Sequence, residues 1–192
     1  CGHAAANVHG ADLVVYSAAI PEGNDERVEA GRLGLESMGR ARAVGCLLQG
    51  FTALAVAGTH GKTTSASMLA SVLTEADIDP CVLVGGAIAG KVQARIGAGR
   101  FFVTEADEFD RSFLQIEPEV ALVNNVEAEH LDTYEDAESL HAAFGQFLAS
   151  TRRQAIVNGD DPGVELSMAS TTSAVNTLRF GLHDDNDYRA EA

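Results

Sequence analysis

Ala53-Leu54-Ala55-Val56-Ala57-Gly58-Thr59-His60-Gly61-Lys62-Thr63-Thr64 sets an apolar run, a glycine-bounded loop and the start of a periodic stretch in direct succession. Ala53–Ala57 has the length and character of a buried strand. Beyond the loop, Leu69, Val72, Leu73 and Ala76 recur at i, i+3, i+4 and i+7, so Thr63–Ala76 predicts a helix. Strand, glycine loop, helix is the setting in which a backbone cradles phosphate. Glycines turn tightly and bring N–H groups close to anionic oxygens, and the helix start adds free donors and partial positive charge. Gly58, Thr59, His60, Gly61, Lys62, Thr63 and Thr64 are therefore the candidate triphosphate cradle. Lys62 is placed to reach the β- and γ-phosphates, and the Thr63 hydroxyl to ligate Mg²⁺. The strict pattern GxxxxGK[ST] is not met, because Val56 stands five residues before Gly61. The bland alternative is an ordinary glycine-rich turn with a surface lysine, and the scarcity of lysine argues against it.

Outward from this loop, strand-like runs recur at Cys81–Val84, Phe101–Thr104, Val120–Val123, Ala155–Asn158 and Thr177–Phe180. Helical periodicity returns after Asp136 at Leu140, Ala143, Phe144, Phe147 and Leu148. Non-alternating apolar strands between helices imply an α/β fold: a P-loop-type, mostly parallel sheet with helices on both faces. Ligands of such sheets bind at the carboxyl ends of the strands. Residues 1–50 read separately. Ala11–Tyr16 is a strand, Ser17–Pro21 a loop, and Asn24–Gly34 and Gly39–Gln49 are helices, together the end of a Rossmann-like unit. Residues 51–192 form the central, nucleotide-binding segment.

Composition narrows the partners. Hydrophobic residues are 46% of the chain, enough for a sizeable core, yet no apolar run approaches the roughly 20 residues of a membrane helix. A formal charge of −15 disfavours nucleic acid and anionic membranes alike. Only two of the 13 basic residues are lysines, Lys62 and Lys91. An acidic, lysine-poor surface is either an adaptation to high salt or a by-product of biased base composition. Cys1, Cys46 and Cys81 form no CxxC pair, which fits a reduced cytoplasmic setting. The chain opens Cys-Gly-His with no initiator Met and no leader, and reads as a fragment of a larger protein.

A phosphate loop alone does no phosphoryl chemistry; a metal must be held and charge stabilised. Glu105 follows the strand Phe101–Thr104, and His130 follows the strand Val120–Val123 and the turn at Asn124-Asn125, so both fall on the rim that carries the loop. A carboxylate and an imidazole there suit a second Mg²⁺. The residues alone also allow Glu105 to be one solvated acid among Glu105, Asp107, Glu108 and Asp110, and His130 a hydrogen-bonded loop histidine. Asp107, Glu108 and Asp110 read as structural or solvated.

The loop Ala55–Thr64, the segment Glu105-Ala106-Asp107-Glu108 and the stretch from Asn125 to His130-Leu131-Asp132 resemble the Mur ligases of peptidoglycan synthesis. The loop histidine and the EADE segment look most like the branch that joins L-alanine to UDP-N-acetylmuramate. Gly2-His3 and Val15–Pro21 are similar to that branch's uridine-nucleotide domain, of which residues 1–50 would be a remnant. The resemblance implies ATP and Mg²⁺ as cofactors and UDP-N-acetylmuramate and L-alanine as substrates. ATP would convert the muramate carboxylate to an acyl phosphate, which the amine attacks. It also implies that Lys62 and Thr63 contact phosphate and the first Mg²⁺, that Glu105 and His130 hold the second, that Lys62, Glu105 and His130 are the catalytic set, and that Asn125 orients substrate. The sequence departs from the family at Glu129, where Asp is usual before the histidine, and at Phe109, where a small residue often follows EADE. The family's carboxyl-terminal domain is not in the chain, so little ligase activity is expected of it alone. A ligase of wall recycling that uses a preformed peptide shares these motifs, and an ATP-binding regulatory module would make Glu105 and His130 bystanders. Asn124-Asn125-Val126-Glu127 is not the NKxD of a GTPase, and the loop histidine argues against a folate-polyglutamate type ligase.

Overall fold

The structure is a computed structural model that describes residues 2–85, 94–128, 133–171 and 175–191. The chain divides into two compact units, Cys1–Leu47 and Leu48–Ala192.

In the first unit a 3-10 turn, Ala5–Val8, precedes β1 (Leu13–Tyr16), α1 (Asp25–Leu33) and β2 (Glu36–Gly39), and α2 (Arg40–Leu48) follows. Asn24 starts α1 by accepting the Glu26 N–H, Asp25 and Glu26 sit in the first turn where the helix dipole favours negative charge, and Gly34 stops it in the left-handed region at φ 68°. β1 and β2 pair in parallel, from Leu13 opposite Glu36 to Tyr16 opposite Gly39. The sequence does not signal β2: Glu36-Ser37-Met38-Gly39 has no apolar run, and its pairing is made by backbone. On α1, Glu26 receives His3 and Asn7, and Glu29 holds Arg32 and His9. The Arg32 and His9 bonds pull the Glu29 carboxyl down to about 2.

The second unit is one sheet with its helices. β3 (Thr52–Ala57), α3 (Lys62–Glu75), β4 (Cys81–Leu83), β5 (Ala94–Arg95) and β6 (Phe101–Glu105) come first. After a 3-10 segment, Phe109–Gln115, come β7 (Val120–Val123), α4 (Ala137–Ala149), β8 (Gln154–Asn158), α5 (Pro162–Ala169), β9 (Thr177–Gly181) and β10 (Tyr188–Arg189). The strand order is β10-β9-β8-β7-β3-β6-β4-β5, parallel throughout except for the β4–β5 pair. The chain leaves β3 toward β6 and β4 on one side and returns to β7 on the other. β3 is therefore the point where strand order reverses, and its carboxyl end is where such sheets bind ligands.

Successive β3 residues Ala55 and Val56 are each 1% exposed, so both faces of the sheet are covered, as the non-alternating sequence predicts. On the α3 side Val56, Val82, Val84 and Val103 pack with Ala66 and Ala70, flanked by Leu69 and Leu73. The expected apolar stripe of α3 is thus rotated: Val72 is 64% exposed, and the small side chains of Ala66 and Ala70 let the helix lie against the strands instead. α4 opens on a capping box between Asp136 and Ser139 and buries Leu140, Ala143, Phe144, Phe147 and Leu148. Phe113 joins them, its ring 5.0 Å from Phe144 edge-on and 5.2 Å from Phe147 stacked. Among the described residues no helix is long and apolar enough to cross a membrane.

Candidate functional site

The loop between β3 and α3 takes its shape from two glycines in backbone regions that favour them, Gly58 at φ 133° and Gly61 at φ 78°. Space imposes the same choice. A Cβ on Gly58 would lie 3.1 Å from the Asn125 carbonyl oxygen and 3.2 Å from the Asn124 Cβ. A Cβ on Gly61 would meet the Asn124 Nδ2 at 3.2 Å. α3 begins at once, with Ser65 N–H bonding the Gly61 carbonyl at 2.9 Å. The N–H groups of its first turn have no acceptor within the helix and point outward as anion donors.

The tip of β7 clasps the first half of the loop. Asn124 N–H donates to the Ala57 carbonyl at 3.1 Å, and Thr59 N–H to the Asn125 carbonyl at 3.0 Å. The Asn125 side chain accepts the His60 N–H at 2.8 Å and returns an amide proton to the His60 carbonyl at 3.3 Å. Asn124 donates to the same carbonyl at 3.3 Å and to Ser65 Oγ at 3.1 Å. Glu127 N–H donates to Thr59 Oγ1 at 2.8 Å. The residue between, Val126, is pinned elsewhere: its N–H donates to Asp161 Oδ1 at 3.2 Å, the same oxygen that caps α5 through Val164 N–H at 2.8 Å.

Lys62 does not extend into solvent. Its side chain is 14% exposed, and Nζ donates to the Gly58 carbonyl at 2.7 Å, the Thr59 carbonyl at 3.3 Å and Glu108 Oε2 at 2.7 Å. Asp107 Oδ1 stands 3.9 Å away. Glu108 is 1% exposed, the one buried acid of its cluster. Its carbonyl accepts the hydroxyl of fully buried Tyr134 at 2.7 Å. Burial, and then the charge of Glu108, push the Tyr134 hydroxyl up to about 12.

Glu105 ends β6, opposite Val56 of β3, on the rim that carries the loop. Its Oε1 accepts the Gly85 N–H at 2.8 Å. The His60 ring lies 3.6 Å from the Glu127 carboxylate, both well exposed. His130 lies outside the described residues. The structure thus gathers Gly58 to Thr64, Glu105 and Asn125 at one rim. To these it adds Asn124, Glu108 and Tyr134, which the sequence did not single out. For Asn124 a signal existed: it is the first polar residue after a strand that flanks the loop strand. A separate recess of about 540 Å³, lined by Asn158, Phe180, Leu182 and Tyr188 among others, lies at the β8 and β9 tips with β7 between it and β3.

Among the described residues no three His, Cys, Asp or Glu side chains stand close enough to hold a metal by themselves. The oxygens of Thr63 and Glu105 suit instead a hard dication that takes one or two protein ligands and completes its shell with phosphate and water. The positive-φ glycines and the donor-rich start of α3 fit a polyphosphate in the same way.

The Mur ligase middle domain matches residues 56–192. The UDP-N-acetylmuramate–L-alanine ligase of Thermobifida fusca is 43% identical over 190 residues, 98% of this chain and 40% of that protein. Among solved structures, the UDP-N-acetylmuramate:L-alanyl-gamma-D-glutamyl-meso-diaminopimelate ligase of Neisseria meningitides superposes with a TM-score of 0.83 at 29% identity, over 94% of this chain and 62% of that one. The UDP-N-acetylmuramate-alanine ligase of Thermotoga maritima gives 0.81 at 26% identity, over 96% and 42%. The chain therefore spans about 40% of the length of the curated relatives it matches.

Proposed function

The chain belongs to the Mur ligase family, and from that premise we propose that it is the nucleotide-binding part of an ATP-dependent ligase that joins L-alanine to UDP-N-acetylmuramate. The carrying observation is Lys62 folded over the Gly58 and Thr59 carbonyls at the sheet's reversal point, with a carboxylate, Glu105, on the adjoining strand tip. When bound, Mg·ATP supplies the phosphoryl group that turns an unreactive carboxylate into an acyl donor. The chain's own residues bind and orient. The α3 N-terminus would receive the phosphates within the loop held by Asn124 and Asn125, and Lys62 sets a fixed positive charge where anionic oxygens converge. Thr63 is assigned to the first Mg²⁺, and Glu105 with His130 to the second. Asn125 is assigned to orienting substrate, and its two hydrogen bonds to the His60 backbone make it a loop-positioning residue as well.

Residues 1–50 are proposed as part of the UDP-sugar domain, 51–192 as the central ATP domain, and the cytoplasm as the compartment. The resemblance to the Neisseria tripeptide ligase favours a second reading, in which a preformed peptide replaces L-alanine. The 43% identity to the Thermobifida enzyme supports alanine.

Calorimetric titration of the chain with Mg·ADP tests the nucleotide assignment: saturable binding that Lys62→Ala abolishes is expected, and an indifferent Lys62→Ala would remove it. In the full-length ligase, ADP release with L-alanine against tripeptide decides between the acceptors.

A further inference from the structure

The geometry points to Glu108 as the positioning residue of the phosphate-loop lysine, a role that rests on the nucleotide-binding reading above and extends it. A carboxylate that is 1% exposed has left water, and only a charged partner with good geometry offsets that cost. Its partner is Lys62, 2.7 Å away and itself 14% exposed, so neither charge is held by solvent. An ammonium has three protons and a stem of four rotatable carbons. Here the protons go to the Gly58 carbonyl, the Thr59 carbonyl and Glu108 Oε2. The first two belong to the loop that Lys62 serves. Glu108 alone is anchored elsewhere, and it fixes the direction in which the lysine folds.

The anchoring is extensive. Tyr134 Oη at 2.7 Å and Arg111 N–H at 3.0 Å both donate to the Glu108 carbonyl. Ser112 Oγ at 2.9 Å and Phe113 N–H at 3.0 Å donate to the Asp107 carbonyl. Asp110 and Arg111 adopt φ 55° and 53°, a left-handed pair that non-glycine residues take only where surroundings enforce it. Phe113, fully buried among Phe144 and Phe147, anchors the far side of this turn. A rigid, locally strained turn therefore presents one inward carboxylate to one lysine. Neighbouring Asp107, 46% exposed and 3.9 Å from Nζ, makes only a longer, solvent-facing ion pair with the same lysine.

The lysine count makes the test direct. Lys62 and Lys91 are the only lysines, so a Lys91→Arg chain labelled with ¹⁵Nζ-lysine reports on Lys62 alone. In that background an observable, exchange-protected ammonium resonance is expected, and Glu108→Gln should broaden it beyond detection and weaken Mg·ADP binding about tenfold. Glu108→Asp, which keeps the charge on a shorter stem, should restore part of both. A purely structural role would lower thermal stability without touching the resonance. An unchanged resonance with Mg·ADP affinity within about twofold in Glu108→Gln overturns the assignment. Should that variant fail to fold, Tyr134→Phe, which releases only the Glu108 carbonyl, should broaden the same signal and weaken Mg·ADP about threefold, and an unaltered signal counts against the role. Failure of the nucleotide reading looks different: Lys62→Ala would bind Mg·ADP as the parent does, while the resonance still reports whether Glu108 sets the lysine.

Discussion

The side-chain amide of Asn125 grips both backbone polar groups of His60, accepting its N–H at 2.8 Å and donating to its carbonyl at 3.3 Å. One side chain thus closes the loop tip like a strand partner, and the tip amide is satisfied without phosphate. The N–H groups left for an anion are those at the start of α3.

Asn125→Ala removes both bonds at once. Each is worth about 0.5–1.5 kcal/mol net, so the loop tip should loosen without global unfolding. Hydrogen exchange of the His60 amide is expected to accelerate about tenfold or more, with Mg·ADP binding weaker by about the same factor. Exchange as slow as in the parent would show that the clasp is redundant.

Gly58→Ala must place a Cβ at φ 133°, within 3.1–3.2 Å of the Asn124 and Asn125 backbone. The strained conformation alone costs about 1–3 kcal/mol. Urea unfolding should show a lower midpoint at unchanged slope, and the variant should lose nucleotide binding as β7 is pushed away.

Tyr134 should ionise late. Its ordinary value is 10.0 and the fold raises it to about 12, so the hydroxyl stays protonated in the folded chain while an unfolded chain loses the proton. The raised value contributes stability below pH 10 that disappears as pH climbs from 10 to 12. With three tyrosines and no tryptophan, absorbance titration near 295 nm resolves the step cleanly. Tyr134→Phe should delete the late step; a late step that persists would show that it does not belong to Tyr134.

Net charge of −15 predicts salt-stabilised folding. Raising NaCl from about 10 mM to about 0.3 M shortens the screening length from about 30 Å to under 10 Å, and the melting temperature should climb through that range. A further steep rise toward molar salt would favour high-salt adaptation over biased base composition. A flat profile would mean that pairs such as Arg152 with Glu117 and Arg179 with Glu165 already neutralise the local repulsion.

The architecture was legible where chemistry is local. Ala53–Ala57, Phe101–Thr104 and Val120–Val123 are strands to within a residue, because a doubly covered strand leaves an unbroken apolar run. β2, β5 and β10 were not, since short edge pairings need only backbone. The loop glycines could be read because their conformation excludes other residues. Glu108 could not. Among Glu105, Asp107, Glu108 and Asp110 nothing local marks which acid turns inward; the choice is made by Lys62, 46 positions earlier, and by Tyr134, 26 positions later. Val72 misled for a related reason: periodicity gives a helix's apolar faces, but two alanines decided which face the sheet accepts.

Val126 sits between two residues that hold the phosphate loop and a third, Glu127, that holds Thr59, yet its own backbone is wedged against α5. A Cβ on Gly163 would come 1.8 Å from the Val126 carbonyl oxygen, and Asp161 binds Val126 N–H and caps α5 with one oxygen. Cradle and helix therefore share a mount, and thermodynamic reciprocity makes traffic between them run in both directions. Whatever ligand steadies Thr59 and His60 also quiets the first turn of α5, and a methyl group added at Gly163 would be felt as a remote loss of phosphate affinity.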